Sequence, residues 1–191
     1  WPQLRTLLVT GVLMLTFGNA GVVWAEQYVP SGMAAVIIAT VSLWMMALEA
    51  LRPGGERMTW AKFGGAIIGL AGVAVLMLPQ LTNGRNEKML FGQLLLLGAA
   101  VSWAIGSIYS KHAPMPKSNI MGSGVQMLAG GIAQLILAGI NGEFGQFNQR
   151  QAIGAPLWAV LYLTIFGSCL AFTAYTWLLR HSSPALASTY S

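Results

Sequence analysis

The chain has 191 residues, 55% hydrophobic and 8% charged, with a mean hydropathy of +0.64. Soluble domains carry about 25% charged residues, so this chain cannot clothe a globular surface in solvated groups, and a lipid-facing surface is the consistent reading. Its net charge of +5 comes without a dense basic patch, which excludes a phosphate-tracking nucleic-acid surface.

The fifteen charged residues fall in clusters separated by uncharged spans. In chain order the spans are 6–25, 27–48, 63–84, 89–110, 118–142 and 151–179, of 20, 22, 22, 22, 25 and 29 residues. A helix needs about 20 apolar residues to cross about 30 Å of hydrocarbon. The spacing therefore predicts an all-α integral membrane protein with six complete transmembrane helices, and Pro184 opens the predicted start of a seventh. Two-residue alternation is absent, which argues against an outer-membrane barrel. Turn signals sit between the spans: Pro30-Ser31-Gly32, Pro53-Gly54-Gly55, Asn83-Gly84, Pro114 with Pro116, and Asn141-Gly142. The chain opens at Trp1 and stops two turns into the seventh apolar run, so both ends of the protein are expected to lie beyond it.

Lysine and arginine set the expected orientation. Alternate loops on one side hold Arg5, Arg52, Arg57, Lys62, Lys111, Lys117 and Arg180, seven of the ten basic residues, and the other side holds Arg85, Lys88 and Arg150. The richer side is expected to be cytoplasmic, which puts 52–62, 111–117 and 180–183 there and starts the first helix from the cytoplasm.

Internal similarity is weak but ordered. A shift of 152 residues lays Val29 on His181 and Pro30-Ser31-Gly32 on Ser182-Ser183-Pro184, so the first predicted helix falls on the sixth. The two run in opposite directions through the membrane, the arrangement that places a site at the interface of inverted repeats. Small residues at four-residue spacing, Gly98, Ser102, Gly106 and Ser110, predict a close-packing stripe on the fourth helix, and Gly65, Gly69 and Gly72 do so on the third.

Amides, carboxylates and hydroxyls inside the spans are the candidate site residues, because each is costly in hydrocarbon unless it meets a cavity or a partner. Asn19 lies in the middle of the first helix, where an interhelical hydrogen bond competes with a cavity role. Glu26, two turns on, either binds an amino group or exchanges a proton, or marks the watery outer end of the helix. Gln126 is the strongest amide candidate; Gln93 and Gln134 are held in reserve. Trp103 and Tyr109 flank the small-residue stripe, and Ser168 and Tyr175 share a helical face at seven-residue spacing. An aromatic cavity with hydroxyl donors suits amino acids or amphipathic compounds, against core or lipid packing for each residue separately.

Several motifs resemble a known family. Asn19-Ala20-Gly21-Val22-Val23-Trp24-Ala25-Glu26-Gln27-Tyr28-Val29-Pro30-Ser31-Gly32-Met33-Ala34-Ala35 is similar to the junction of the third and fourth helices of the EamA domain, within the drug/metabolite transporter superfamily. Glu56-Arg57-Met58-Thr59-Trp60 followed by Gly64-Gly65 and Gly69-Leu70-Ala71-Gly72 resembles that domain's charged loop and fifth helix. Ser102-Trp103-Ala104-Ile105-Gly106-Ser107-Ile108-Tyr109-Ser110-Lys111 resembles the opening helix of the second EamA copy, and the run from Phe166-Gly167-Ser168 to Tyr190 its eighth and early ninth helices. Ser42 stands where the family's fourth helix often has proline.

The resemblance implies a ten-helix protein of two inverted five-helix halves. Residues 1–79 would be the C-terminal part of the first repeat and 89–191 the N-terminal part of the second. It also implies a multi-pass secondary transporter of the bacterial inner membrane, an exporter of amino acids or related metabolites working by alternating access, with proton coupling and oligomeric state left open. A membrane-embedded enzyme and a non-transporting scaffold are the alternatives. Against an enzyme, the chain has no aspartate for a Ser-His-Asp triad and no P-loop, and His112 and His181 have no cysteine or paired carboxylate at metal-ligand spacing, so no cofactor is expected.

Overall fold

A computed structural model describes residues 1–55, 59–82, 87–146, 153–183 and 187, and among these there is helix, turn and coil but no strand. Six helices follow in order: α1 Pro2–Ala25, α2 Ser31–Leu51, α3 Trp60–Thr82, α4 Glu87–His112, α5 Asn119–Ile140 and α6 Ala155–His181. All but α3 are long and apolar enough to cross a membrane, five candidate spans where the charge gaps predict six. The third expected span, 63–84, falls on α3, whose described apolar stretch is Phe63–Val75. The Glu56-Arg57-Met58 motif, the Asn83-Gly84 turn, Arg85, Arg150 and the expected seventh helix from Pro184, apart from Ala187, lie outside the described residues.

The boundaries have local causes. Pro2 opens α1, where its missing N–H costs nothing. Ser118 caps α5 by accepting from the Met121 amide at 3.3 Å. Gly142 and Gly154, at φ +72° and +94°, turn the chain into and out of the α5–α6 connection, in a backbone region closed to most side chains.

Helix α2 breaks at Ala39–Thr40 without a proline. The hydroxyl of Thr40 donates to the Ile37 carbonyl at 2.6 Å and that of Ser42 to the Ala39 carbonyl at 2.8 Å, which satisfies carbonyls that water cannot reach in a bilayer. Ser42 thus serves a bend of the kind a proline would impose.

Two helices carry long π-helical segments, Val12–Ala20 in α1 and Leu163–Phe172 in α6. A π-ladder has poorer backbone geometry and persists where neighbours compensate. In α1 they do: Ser102 of α4 donates to the Leu13 carbonyl and Gln134 of α5 to the Leu15 carbonyl, each at 2.7 Å. In α6 the Asn119 amide donates to the carbonyl of Thr173, the residue that follows the π-segment, at 2.9 Å.

Helix α1 is the axis of the packing. Against α4 it closes along Gly92, Ala99 and Gly106: a Cβ on Gly92 would meet Val29 and Tyr28, Ala99 abuts Gly21, and a Cβ on Gly106 would meet Met14 and Leu13. The expected stripe of Gly98, Ser102, Gly106 and Ser110 is only partly the contact, since Gly98 faces open space. The seam instead runs at seven-residue spacing, which stays nearly in register with a helix axis over several turns. On the third helix Gly69 receives the Leu43 side chain while Gly65 and Gly72 face open space. Helix α5 lies on another side of α1, with Gly11 against the Gln126 backbone and Gly130 against Leu15.

Helix α6 packs through its last third alone, by Phe172, Tyr175, Thr176 and Leu179, and residues 155–171 are exposed. The connections after α2, α4 and α6 share one end of the bundle, where Arg52 meets His112, Arg180 meets the Pro116 carbonyl and Lys111 meets the Ser182 carbonyl. At the opposite end Tyr28 stacks edge-on against Phe91, with centroids 5.8 Å apart.

Candidate functional site

Inside the bundle an aromatic cluster draws on four helices: Met14 from α1, Trp44 and Met45 from α2, Trp103 and Ser107 from α4, Phe172 and Tyr175 from α6. Trp103 and Ser107 are one turn apart on α4, so both face α6. Gly18 lets the indole lie against α1, since a Cβ there would stand 2.9 Å from Trp103 Cε3. Phe172 meets the same indole edge-to-face, with centroids 6.3 Å apart.

The polar atoms of this cluster form a closed chain. An indole nitrogen only donates, so Trp103 Nε1–H donates to the Tyr175 hydroxyl at 3.3 Å. Ser107 Oγ donates to the Trp103 carbonyl at 2.8 Å, which leaves Tyr175 to donate to Ser107 at 2.7 Å. Each proton has an acceptor, and such chains polarise one another in a low-dielectric interior. Close by, Trp44 Nε1 is buried without a partner among the described residues, a donor available to a polar ligand.

A second polar seam lies one turn along α1. Gln126 is fully buried; its Nε2 donates to Thr10 Oγ1 at 2.7 Å, Thr10 passes its proton to the Thr6 carbonyl at 2.7 Å, and Gln126 Oε1 has no partner among the described residues. Thr16 donates to the Gly130 carbonyl at 3.1 Å, and Ser123 pairs with Thr176 at 2.8 Å. Helices α1, α5 and α6 are therefore stitched by buried hydroxyls and an amide, each bond worth about 1 kcal/mol or less in a membrane.

Of the residues singled out in the sequence, Trp103 and Tyr175 come together and Gln126 lies in the adjoining seam. The others stand apart. Tyr109 is 39% exposed, and Asn19, Glu26 and Ser168 are exposed too. Glu26 caps the end of α1. Ser168 lies in 155–171, where α6 is exposed on every side, whereas Tyr175 lies in the packed last third of the helix. Of the reserve amides, Gln93 is fully buried with Oε1 unpartnered among the described residues, and Gln134 serves the α1 backbone.

Sequence reasoning missed Ser107, Met14, Met45 and Phe172, although Ser107 stands one turn from Trp103, a signal that was legible. It also missed Glu49, whose side chain is 8% exposed and whose Oε2 lies 2.9 Å from His112 Nε2. Arg52 Nη1 approaches the other ring nitrogen, Nδ1, at 2.6 Å.

The described residues thus form a bundle of apolar helices around an aromatic–hydroxyl cluster, and sequence comparison places the chain. The profile of the EamA-like transporter family matches residues 1–78 and 90–191, and the chain belongs to that family. It is 38% identical over 194 residues to the "Uncharacterized inner membrane transporter YedA" of Escherichia coli K12, covering all of this chain and 60% of that protein. The chain thus spans 60% of the length of that relative. It is 32% identical over 117 residues to the "Probable amino-acid metabolite efflux pump" of Salmonella typhimurium, covering 58% of this chain and 38% of that protein. Over 78 residues it is 33% identical to the "Probable terminal-alkyne amino-acid exporter" of Streptantibioticus cattleyicolor, covering 41% of this chain and 25% of that protein. No solved structure gives a significant match.

Proposed function

We propose that the chain forms the central part of a secondary carrier that exports small metabolites, amino acids or compact amphipathic compounds, across a bacterial inner membrane. One observation carries the reading: half-buried Trp103 and buried Ser107 and Tyr175 cluster where helices from both stretches matched by the family profile meet. Its aromatic walls suit an apolar side chain, and Trp44 Nε1 supplies a donor for a carboxylate. The printed names of the Salmonella and Streptantibioticus relatives support amino-acid-like cargo.

Alternating access is the mechanism proposed, with inverted repeats at 1–79 and 89–191 rocking about this site. The π-segments support the repeat. The shift that lays Val29 on His181 lays Val12 on Thr164 and Ala20 on Phe172, so the π-helix of α1 overlies that of α6 to within one residue. The end bearing 52–62, 111–117 and 180–183 is proposed to face the cytoplasm.

Reconstitution of the intact protein in liposomes, with a panel of amino acids, purines and cationic drugs, tests the reading. Saturable flux of an amino acid or amphipathic compound is expected; no saturable flux across the panel overturns it.

A further inference from the structure

The triad Glu49–His112–Arg52 plays no part in the cluster above, yet it joins the end of α2 to the end of α4, one from each stretch of the family match. Its chemistry fixes its proton. A guanidinium only donates, so Arg52 Nη1 makes His112 Nδ1 an acceptor and places the ring's single proton on Nε2, where Glu49 Oε2 accepts it. The bridge therefore requires the neutral imidazole. A second proton would land on Nδ1, the atom that holds Arg52, and would turn an acceptor into a donor facing another donor.

We propose that this triad is a proton-operated latch between the two halves. With neutral His112 the ends of α2 and α4 are tied through Arg52. Protonation expels Arg52 and leaves an imidazolium paired with Glu49 alone, so the loop that Arg52 begins is released from α4. The carboxylate keeps the imidazolium at this end of the bundle, and the carbonyl ends of α2 and α4 favour the added positive charge.

Among the described residues, Lys111 and Arg180 near this end bond elsewhere. Lys111 donates to the Ser182 carbonyl at 2.7 Å and Arg180 to the Pro116 carbonyl at 3.0 Å. His181 stacks on Trp177 and bonds its carbonyl at 2.8 Å, and Lys117 is exposed on the turn before α5. Among the described residues, His112 is thus the imidazole that bridges the two helices.

The latch stands on geometry alone; its place in a transport cycle, coupling opening of this end to one proton, rests on the carrier reading. Spin labels at Leu51→Cys, exposed at the end of α2, and Ala113→Cys, in a Cys169→Ala background of the intact protein in nanodiscs, report the separation of the two ends. The distance should lengthen or broaden as the solution is acidified, because a second ring proton turns Nδ1 from acceptor to donor. His112→Gln keeps a donor for Glu49 but takes no second proton, so its distance should not respond to pH. Arg52→Gln, a second variant, should show the released distance before and after acidification.

A wild-type distance that ignores pH, or a shift that persists in His112→Gln, overturns the latch. Flux in liposomes separates this from the carrier reading. No flux at any pH with an intact distance response overturns the carrier and keeps the latch. Flux whose pH profile is the same in wild type and His112→Gln, with invariant distances, does the reverse.

Discussion

The hydroxyls of Ser107 and Tyr175 stand 2.7 Å apart and tie α4 to α6 beside the Trp103 indole. Because Tyr175 also accepts from Trp103 Nε1, one phenol oxygen completes the chain of donors that holds the cluster in shape. Tyr175→Phe keeps the ring and removes that oxygen, leaving the Trp103 N–H and the Ser107 hydroxyl each short of a partner. A loss of about 1 kcal/mol corresponds to roughly fivefold in affinity. The apparent KM for the transported compound should rise by about that factor in liposomes while helical content by circular dichroism stays unchanged. A KM equal to the parent's would remove the chain of hydroxyls from substrate binding.

The bond from Gln126 to Thr10 holds α5 on α1 in a place water does not reach. A double-mutant cycle with Thr10→Val and Gln126→Leu isolates it. The coupling energy is expected at about 0.6 kcal/mol, with an upper end near 1.7 kcal/mol, measured by denaturant titration in detergent or bicelles. Additive single effects would mean that the bond adds nothing to stability.

Gly92 and Gly98 lie on one helix, yet a methyl group at each meets a different world. At Gly92 it would stand 2.7 Å from Val29 Cγ2 and 3.1 Å from the Ala25 carbonyl; at Gly98 it meets nothing within 4 Å. Gly92→Ala should destabilise by about 1–3 kcal/mol through overpacking, and Gly98→Ala should stay within about 0.5 kcal/mol of the parent. Equal melting temperatures for the two variants would show that α1 and α4 do not close along Gly92, Ala99 and Gly106.

Helix α5 begins at the end of the bundle proposed to be cytoplasmic and finishes at the other. With Cys169 replaced by alanine, a cysteine at Ser118 should react with a membrane-impermeant maleimide only after the membrane is opened. A cysteine at Asn141 should react in intact cells. Labelling of both from the same side would overturn the proposed topology.

Much of the architecture was legible because hydrocarbon excludes charge. The gaps between charged residues are set by the energy of burying Lys, Arg and Glu, so α1, α2, α4, α5 and α6 fall on predicted spans without any knowledge of their neighbours. The bend in α2 was not legible, since Ser42 stands where a proline would have announced one, and the hydroxyls of Thr40 and Ser42 bond carbonyls of the preceding turn. The small-residue stripe of α4 meets α1 at Ser102 and Gly106 but not at Gly98. A sequence shows helical periodicity but not which side a partner takes, and Gly98 points away from α1 while Gly92 points towards it.

The candidate site divided along the same line. Position beside the small-residue stripe singled out Trp103, helical spacing singled out Tyr175, and the cost of an amide in hydrocarbon singled out Gln126. Ser168 and Tyr175 differ in burial because α6 meets its neighbours only from Phe172 onward, and nothing in 163–172 announces a π-helix. In α1 that ladder is supported from outside, by Ser102 and Gln134 on two other helices, and such support has no signature in the segment itself. Glu49 and His112 are 63 residues apart, and nothing in the sequence pairs them. By itself, then, the sequence determined where the chain can cross a bilayer and which family it resembles, because those follow from local transfer energies and residue order. The tertiary structure alone decided which polar groups meet, because a hydrogen bond between helices depends on their rotation and depth, and these are set by packing against partners distant in the chain.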